Sequence, residues 1–212
     1  MKTRNQTIRL VILGLLVAVL LVMAYTPLGY LNIGPLAISM NVIPVAIAAV
    51  ALGPIGGLVT GAVFGLTSFL QCIGIGGSSA MGAALFAINP FFAFIQRFIP
   101  RILDGLIVGF IFQGMRRKTN PYIACAVTGL CTALLNTVFF MTSLVLLFGN
   151  TDYVKELING RNIFVFICTF VGINAVVEIF ASTVVTGAVG SALFKAKLIP
   201  YTPLKKSKNS EI

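Results

Sequence analysis

From Ile8 to Tyr25 the chain runs eighteen residues with a single charged side chain, and comparable apolar stretches recur five more times before a basic tail. A helix that crosses a bilayer needs about 20 mostly apolar residues, and in hydrocarbon its backbone polar groups must be satisfied within the helix. The stretches fall at about 8–25, 39–52, 55–72, 90–113, 121–148 and 163–194. Only 9% of the 212 residues are charged and 58% are apolar, whereas a soluble domain carries about 25% charged residues. Too few polar groups remain to cover a water-facing surface. The sequence therefore predicts an all-α integral membrane bundle of six transmembrane helices, filling residues 1–212 as one domain.

The punctuation agrees with this division. Gly53-Pro54 stops one helix and starts the next, since glycine suits a helix C-terminus and proline the first helical turn. Asn89-Pro90 reads as a cap followed by proline at the first position, and Pro100 is expected to kink the helix that follows. The first stretch has the basic start of a signal peptide, but no small-x-small cleavage site follows it. It is expected to stay as the first membrane helix. Tyr25, Tyr30, Tyr122, Tyr153 and Tyr201 fall near segment ends, where an aromatic belt would lie in a chain without Trp.

The charge of +10 is distributed by side. With six helices, Lys2, Arg4, Arg9, Arg116, Arg117, Lys118, Lys195, Lys197, Lys205, Lys206 and Lys208 all lie on one face; the other face has Lys155 and Arg161 beside Asp152 and Glu156. The excess of Lys and Arg marks the cytoplasmic side and places both termini there. It is not a nucleic-acid pattern, because the basic residues do not interleave with surface aromatics. Three long loops, 26–38, 73–89 and 149–162, would then face outward, where a solute could be captured. The chain has no His and its four cysteines form no C-x-x-C pair, so no metal site or other cofactor is expected. Gly74-Ile75-Gly76-Gly77 lacks the lysine of a nucleotide loop, and no hydrolase motif is present.

Ionisable residues inside a membrane segment are expensive and usually face a bundle interior or a wet cavity. Arg97, Arg101 and Asp104 share one face of the fourth segment; Glu178 lies within the sixth, one turn from Asn174; Asn136 is central in the fifth. Two arginines and two carboxylates balance. One reading pairs all four as a structural network. The other gives Arg101 to Asp104 and Glu178 and leaves Arg97, about 10 Å below Pro90, for a carboxylate or phosphate, with Gln96, Asn136 and Asn174 nearby. Gly53, Gly57, Gly61 and Gly65 recur every four residues and form a face for close packing. Gly14 and Ala18 repeat that spacing in the first segment, open to an internal neighbour or an external partner.

Several strings carry a resemblance: Thr26-Pro27-Leu28-Gly29, Ile43-Pro44-Val45, Leu52-Gly53-Pro54, Val63-Phe64-Gly65-Leu66-Thr67-Ser68, Phe98-Ile99-Pro100-Arg101-Ile102-Leu103, and Asn174 with Glu178. Over about residues 8–195 the chain resembles the substrate-binding S-components of energy-coupling factor (ECF) vitamin transporters, and is most similar to the pantothenate branch. The resemblance implies a multi-pass protein of a bacterial plasma membrane that binds a vitamin from outside. It implies docking on a transmembrane coupling subunit driven by two cytoplasmic ATPases, so the chain itself is no enzyme. Pantothenate has one carboxylate, an amide and two hydroxyls; Arg97 would take the carboxylate, and Asn41, Gln96, Asn136 and Asn174 the polar groups. Gly14 and Ala18 would dock the coupling subunit, although the family pattern there is commonly Ala-x-x-x-Ala. Folate, riboflavin or a ligand-free scaffold role are the alternatives.

Overall fold

The computed structural model describes residues 2–27, 29–32, 37–77, 79–160 and 162–199. Residues 33–36, Arg161, Tyr201 and the tail lysines Lys205, Lys206 and Lys208 lie outside the described residues. The elements are α1 (Lys2–Ala24), β1 (Tyr30–Asn32), β2 (Ala37–Ser39), α2 (Val42–Leu52), α3 (Pro54–Leu70) with a 3-10 turn at Gln71–Ile73, α4 (Ala80–Ile88), α5 (Pro90–Met115), α6 (Pro121–Phe148), α7 (Asp152–Ile158) and α8 (Ile163–Lys195).

Five helical stretches are long and apolar enough to cross a membrane: Gln6–Ala24, Pro54–Ile73, Pro90–Met115, Pro121–Phe148 and Asn174–Lys195. The expected second segment is the exception. α2 has only 11 residues, about 17 Å of helix. Its side chains are buried all round, apart from a half-buried Ala51. It packs against α1, α3, α5, α6 and α8. A helix apolar on every side belongs in a core, and here neighbouring helices, not lipid, surround it.

Two interfaces of small residues hold the walls. A Cβ on Gly57 would strike the Gly105 carbonyl and one on Gly105 the Gly57 carbonyl; Gly61 meets the Arg101 backbone and Gly65 meets Phe98. The glycine face of α3 is therefore covered by α5. The face expected for close packing is thus used inside the bundle. Across α6 and α8, Gly129 lies against the Ser182 backbone, and Ser182 Oγ donates to the Gly129 carbonyl at 2.8 Å. By contrast, nothing lies within 4 Å of a Cβ placed on Gly14. Around Gly14, Leu10 and Leu15 are 68% and 62% exposed, while Leu16 and Leu20 carry the inward side of α1.

The outward loops hold more structure than their sequences suggest. β1 and β2 form a small antiparallel hairpin, Tyr30 opposite Ser39, so the bundle is not purely helical. Ser79 caps α4 by accepting from Gly82 N–H at 3.1 Å. Thr151 caps α7, with Asp152 in its first turn and Lys155 in its last, each charge placed favourably for the helix dipole. α5 runs unbroken through Pro100.

Adding methyl groups at a backbone-to-backbone contact forces the helices apart, at a typical cost of about 1–3 kcal/mol. Gly105→Val is expected to lower the thermal unfolding temperature in detergent by several degrees, and Gly14→Ala to leave it unchanged. Equal shifts would contradict the packing described.

Candidate functional site

Asn89 fixes where α5 begins. Its Oδ1 accepts from the N–H groups of Phe91 and Phe92 at 3.0 and 3.1 Å. From that start, Ala93, Gln96, Arg97, Pro100, Arg101, Asp104 and Gly105 fall on the buried stripe of the helix. Pro100 has no N–H, so the Gln96 carbonyl lacks its usual helical donor. The irregularity thus sits beside the two residues that the sequence marks as candidate ligands.

Arg97 is 7% exposed. Its guanidinium carbon lies 5.2 Å from the centroid of the Phe140 ring, and Nη2 donates to Ser79 Oγ at a long 3.5 Å. Nε has no partner among the described residues. Tyr153, on α7, lies within its electrostatic reach: burial pushes the phenol pKa up and the Arg97 charge opposes that shift. Tyr153 is half-buried against the apolar cluster around Leu144 and Phe148, rather than standing in an aromatic belt. Neither Ser79 nor Tyr153 was singled out as a site residue from sequence. Ser79 had a readable signal, a serine heading an apolar run; Tyr153 had none.

Arg101 occupies a different position. Its guanidinium carbon lies 4.5 Å from the Phe64 centroid on α3 and 5.6 Å from that of Phe140 on α6. Nη1 donates to the Arg97 carbonyl at 2.8 Å. Its charge acts on both Asp104 and Glu178. Glu178 Oε1 in turn accepts from the Ser39 N–H at 2.6 Å, across 139 positions of sequence, so the end of the hairpin is held on α8. That partner of Glu178 was not anticipated.

The amides divide by their bonding. Asn41 is fully buried; Nδ2 donates to the Gly29 carbonyl at 3.4 Å, but Oδ1 has no partner among the described residues and makes no cap for α2. Gln96 is also fully buried, and neither atom of its amide has a partner among the described residues. Asn136 Oδ1, one turn before Phe140, is likewise unpartnered among the described residues. Asn174 is buried on α8, one turn before Glu178. Buried polar atoms in native proteins nearly always have a partner, whether protein, water or ligand. Asn41, Gln96, Arg97 and Asn136 each keep a polar atom without a partner among the described residues, which makes them candidates for holding a polar solute. Gly14 and Ala18 lie apart from them, exposed on the outer face of α1. Among the described residues no three His, Cys, Asp or Glu side chains gather as metal ligands.

A bundle of long apolar helices that buries amides and arginines in its interior is that of a multi-pass membrane protein. Residues 8–190 match the family model for the ECF transporter substrate-specific component, and the chain belongs to that family. It is 33% identical over 154 residues to the pantothenate transporter PanT of Leuconostoc mesenteroides subsp. mesenteroides, covering 70% of this chain and 71% of that protein. Members of such a family bind substrate and are not a catalytic family.

Removing the charge that compensates a buried opposite charge is strongly destabilising, typically by about 3–5 kcal/mol. Arg101→Ala takes away the positive charge that acts on Asp104 and Glu178 and is expected to cause a large fall in unfolding temperature or loss of monodisperse protein. Arg97→Ala, which abandons a serine and an aromatic face, is expected to cost much less. Thermal unfolding followed by size-exclusion chromatography compares the two; equal losses would remove the distinction drawn between them.

Proposed function

We propose that this chain captures pantothenate at the outer face of a bacterial plasma membrane and delivers it as the S-component of an ATP-driven ECF importer. The observation that carries the reading is Arg97, a deep guanidinium with an unpartnered Nε, about 10 Å below the start of α5. A guanidinium in low dielectric suits a carboxylate, which it can take by two parallel bonds. Gln96, Asn41 and Asn136 have open amide positions for the amide and hydroxyls of the same molecule, and Asn174 completes the set proposed from sequence. Ser79 and Tyr153 join it by their nearness to Arg97. Similarity to a pantothenate transporter favours this vitamin over folate or riboflavin. A ligand-free scaffold would leave the Gln96 amide without a purpose.

In this reading the chain crosses the membrane six times, with α2 as a short crossing completed by the hairpin above it. Both termini are cytoplasmic by the distribution of Lys and Arg. The exposed α1 face at Gly14 and Ala18 docks a transmembrane coupling subunit, and two ATPases borrowed through that subunit supply the energy. The open space at Gly14 supports an external neighbour over an internal one.

Isothermal calorimetry of the purified protein against a panel of vitamins, without ATP, is expected to show one-to-one binding of pantothenate; no binder in the panel would sink the reading. Truncating a buried partner of a charged group typically costs 2–5 kcal/mol, so Arg97→Ala should weaken binding about 100-fold or more. Normal binding by that variant would discard the site. Gly14→Leu is expected to preserve vitamin binding while uptake by cells expressing the whole transporter falls. Uptake at the wild-type rate would remove α1 as the docking face.

A further inference from the structure

A cavity of about 480 Å³ opens at the end of the bundle away from the start of α5. It lies where the start of α1, the end of α2, the end of α5 and the turn after α8 meet. Arg116 on its wall is 19 positions beyond Arg97, about 28 Å along the same helix, close to the thickness of a bilayer core. Its polar lining is one-signed: Arg9, Arg116 and Lys197 with the Gln113 amide, and no carboxylate among the described lining residues. Its floor is apolar, with Val50 and Phe112 both buried.

Two of the cations are placed by backbone features. Arg9 Nη2 donates to the Leu52 carbonyl at 3.0 Å, one of the carbonyls that the end of α2 leaves without a helical donor. That bond pins the guanidinium at the mouth of the cavity. Lys197 follows α8 in the left-handed region, at φ 57°. Its N–H reaches the Phe194 carbonyl and the Leu198 N–H reaches the Leu193 carbonyl, which together form a Schellman turn. Glycine is the usual residue at that position. The lysine accepts an unfavourable conformation and in exchange sets a third cation on the cavity wall.

We propose that this cleft holds the phosphate headgroup of an anionic phospholipid from the leaflet opposite the vitamin site. Three cations fit the phosphodiester, and basic pockets between membrane helices at the lipid-water interface are suited to such headgroups. The apolar floor fits the glycerol and upper acyl carbons, which a free anion would leave uncovered. Leu10 and Val11, exposed on α1 beside Arg9, continue the apolar surface from the mouth toward the membrane. The proposal goes beyond vitamin binding and does not depend on it.

The test uses delipidated full-length protein, titrated with phosphatidylglycerol, phosphatidylcholine, glycerol phosphate or a poly-glutamate peptide. Binding is read by native mass spectrometry and by unfolding temperature. Phosphatidylglycerol is expected to be retained at one per chain and to raise the unfolding temperature, and the other three are not. A basic residue near an anionic headgroup is worth about fivefold in affinity, so Arg9→Gln and Lys197→Gly should each weaken retention by about that factor. Lys197→Gly should unfold no earlier than the wild type, because glycine relieves the left-handed turn; its lipid loss is then a loss of charge, not of fold. Equal retention of phosphatidylcholine, or wild-type retention by both variants, would overturn the proposal. Tighter binding of glycerol phosphate or of the acidic peptide would also overturn it, assigning the cleft to a free phosphate or to an acidic protein segment.

Discussion

Arg101 joins four helices through one side chain. Its guanidinium lies over Phe64 of α3 and Phe140 of α6, bonds the backbone of its own α5, and acts on Asp104 and on Glu178 of α8. A cation at this depth is tolerable only if opposite charge, hydrogen-bond acceptors and aromatic faces surround it. Meeting that demand ties the facing sides of α5 and α8 to one another. Glu178 transmits the constraint to the chain outside the helices, since its carboxylate also holds the Ser39 amide. The hairpin is thereby seated over the same charge cluster.

The two ends of the bundle differ in kind. Toward the end where α5 begins, polar groups without partners gather, framed by an apolar cluster of Met81, Leu85, Met141, Leu144, Phe148 and Val154 drawn from α4, α6 and α7. Toward the other end Val50, Phe112, Ala124, Cys125, Phe194 and Ile199 close on one another. Interiors packed in this way do not pass a solute by small side-chain motions. The glycine contacts reinforce the division. They lock α3 to α5 and α6 to α8 as stiff pairs and leave the outer face of α1 uncommitted.

Much of this is legible in the sequence, and the reason is length. A segment that must satisfy its backbone in hydrocarbon has to be a helix of about 20 residues, so the boundaries at Pro54, Pro90 and Pro121 could be read to within a residue or two. The same rule leaves α2 undecided, because its composition resembles that of a spanning helix while its 11 residues are wrapped by protein. α4 and α7 lie in the stretches 73–89 and 149–162 that the sequence presents as loops, and each is under three turns. At that length a capping residue, not periodicity, is the readable sign, and Ser79 and Thr151 supply it. The site was half legible. Ionisable and amide residues in apolar segments mark themselves by their cost. Which of them meet depends on helix rotation and on chain segments far apart in sequence, so the Glu178 bond to Ser39 and the nearness of Tyr153 to Arg97 had no local signal.

The short α2 has a consequence for the charge balance inside the bundle. A full-length spanning helix would begin at the membrane surface, with its first-turn N–H groups in water. α2 begins instead at Val42, just after the hairpin that Glu178 holds, and all of its first turn is buried. Its cap residue Asn41 makes no side-chain bond to the first turn. A helix N-terminus carries about half a positive charge, and its effect is strongest where water is excluded. Arg97 and Arg101 against Asp104 and Glu178 sum to zero, so the α2 terminus adds a positive dipole end to a region whose formal charges already balance. A full-length second span would have left that end in water; the short one keeps it inside the protein, just after the hairpin that Glu178 holds.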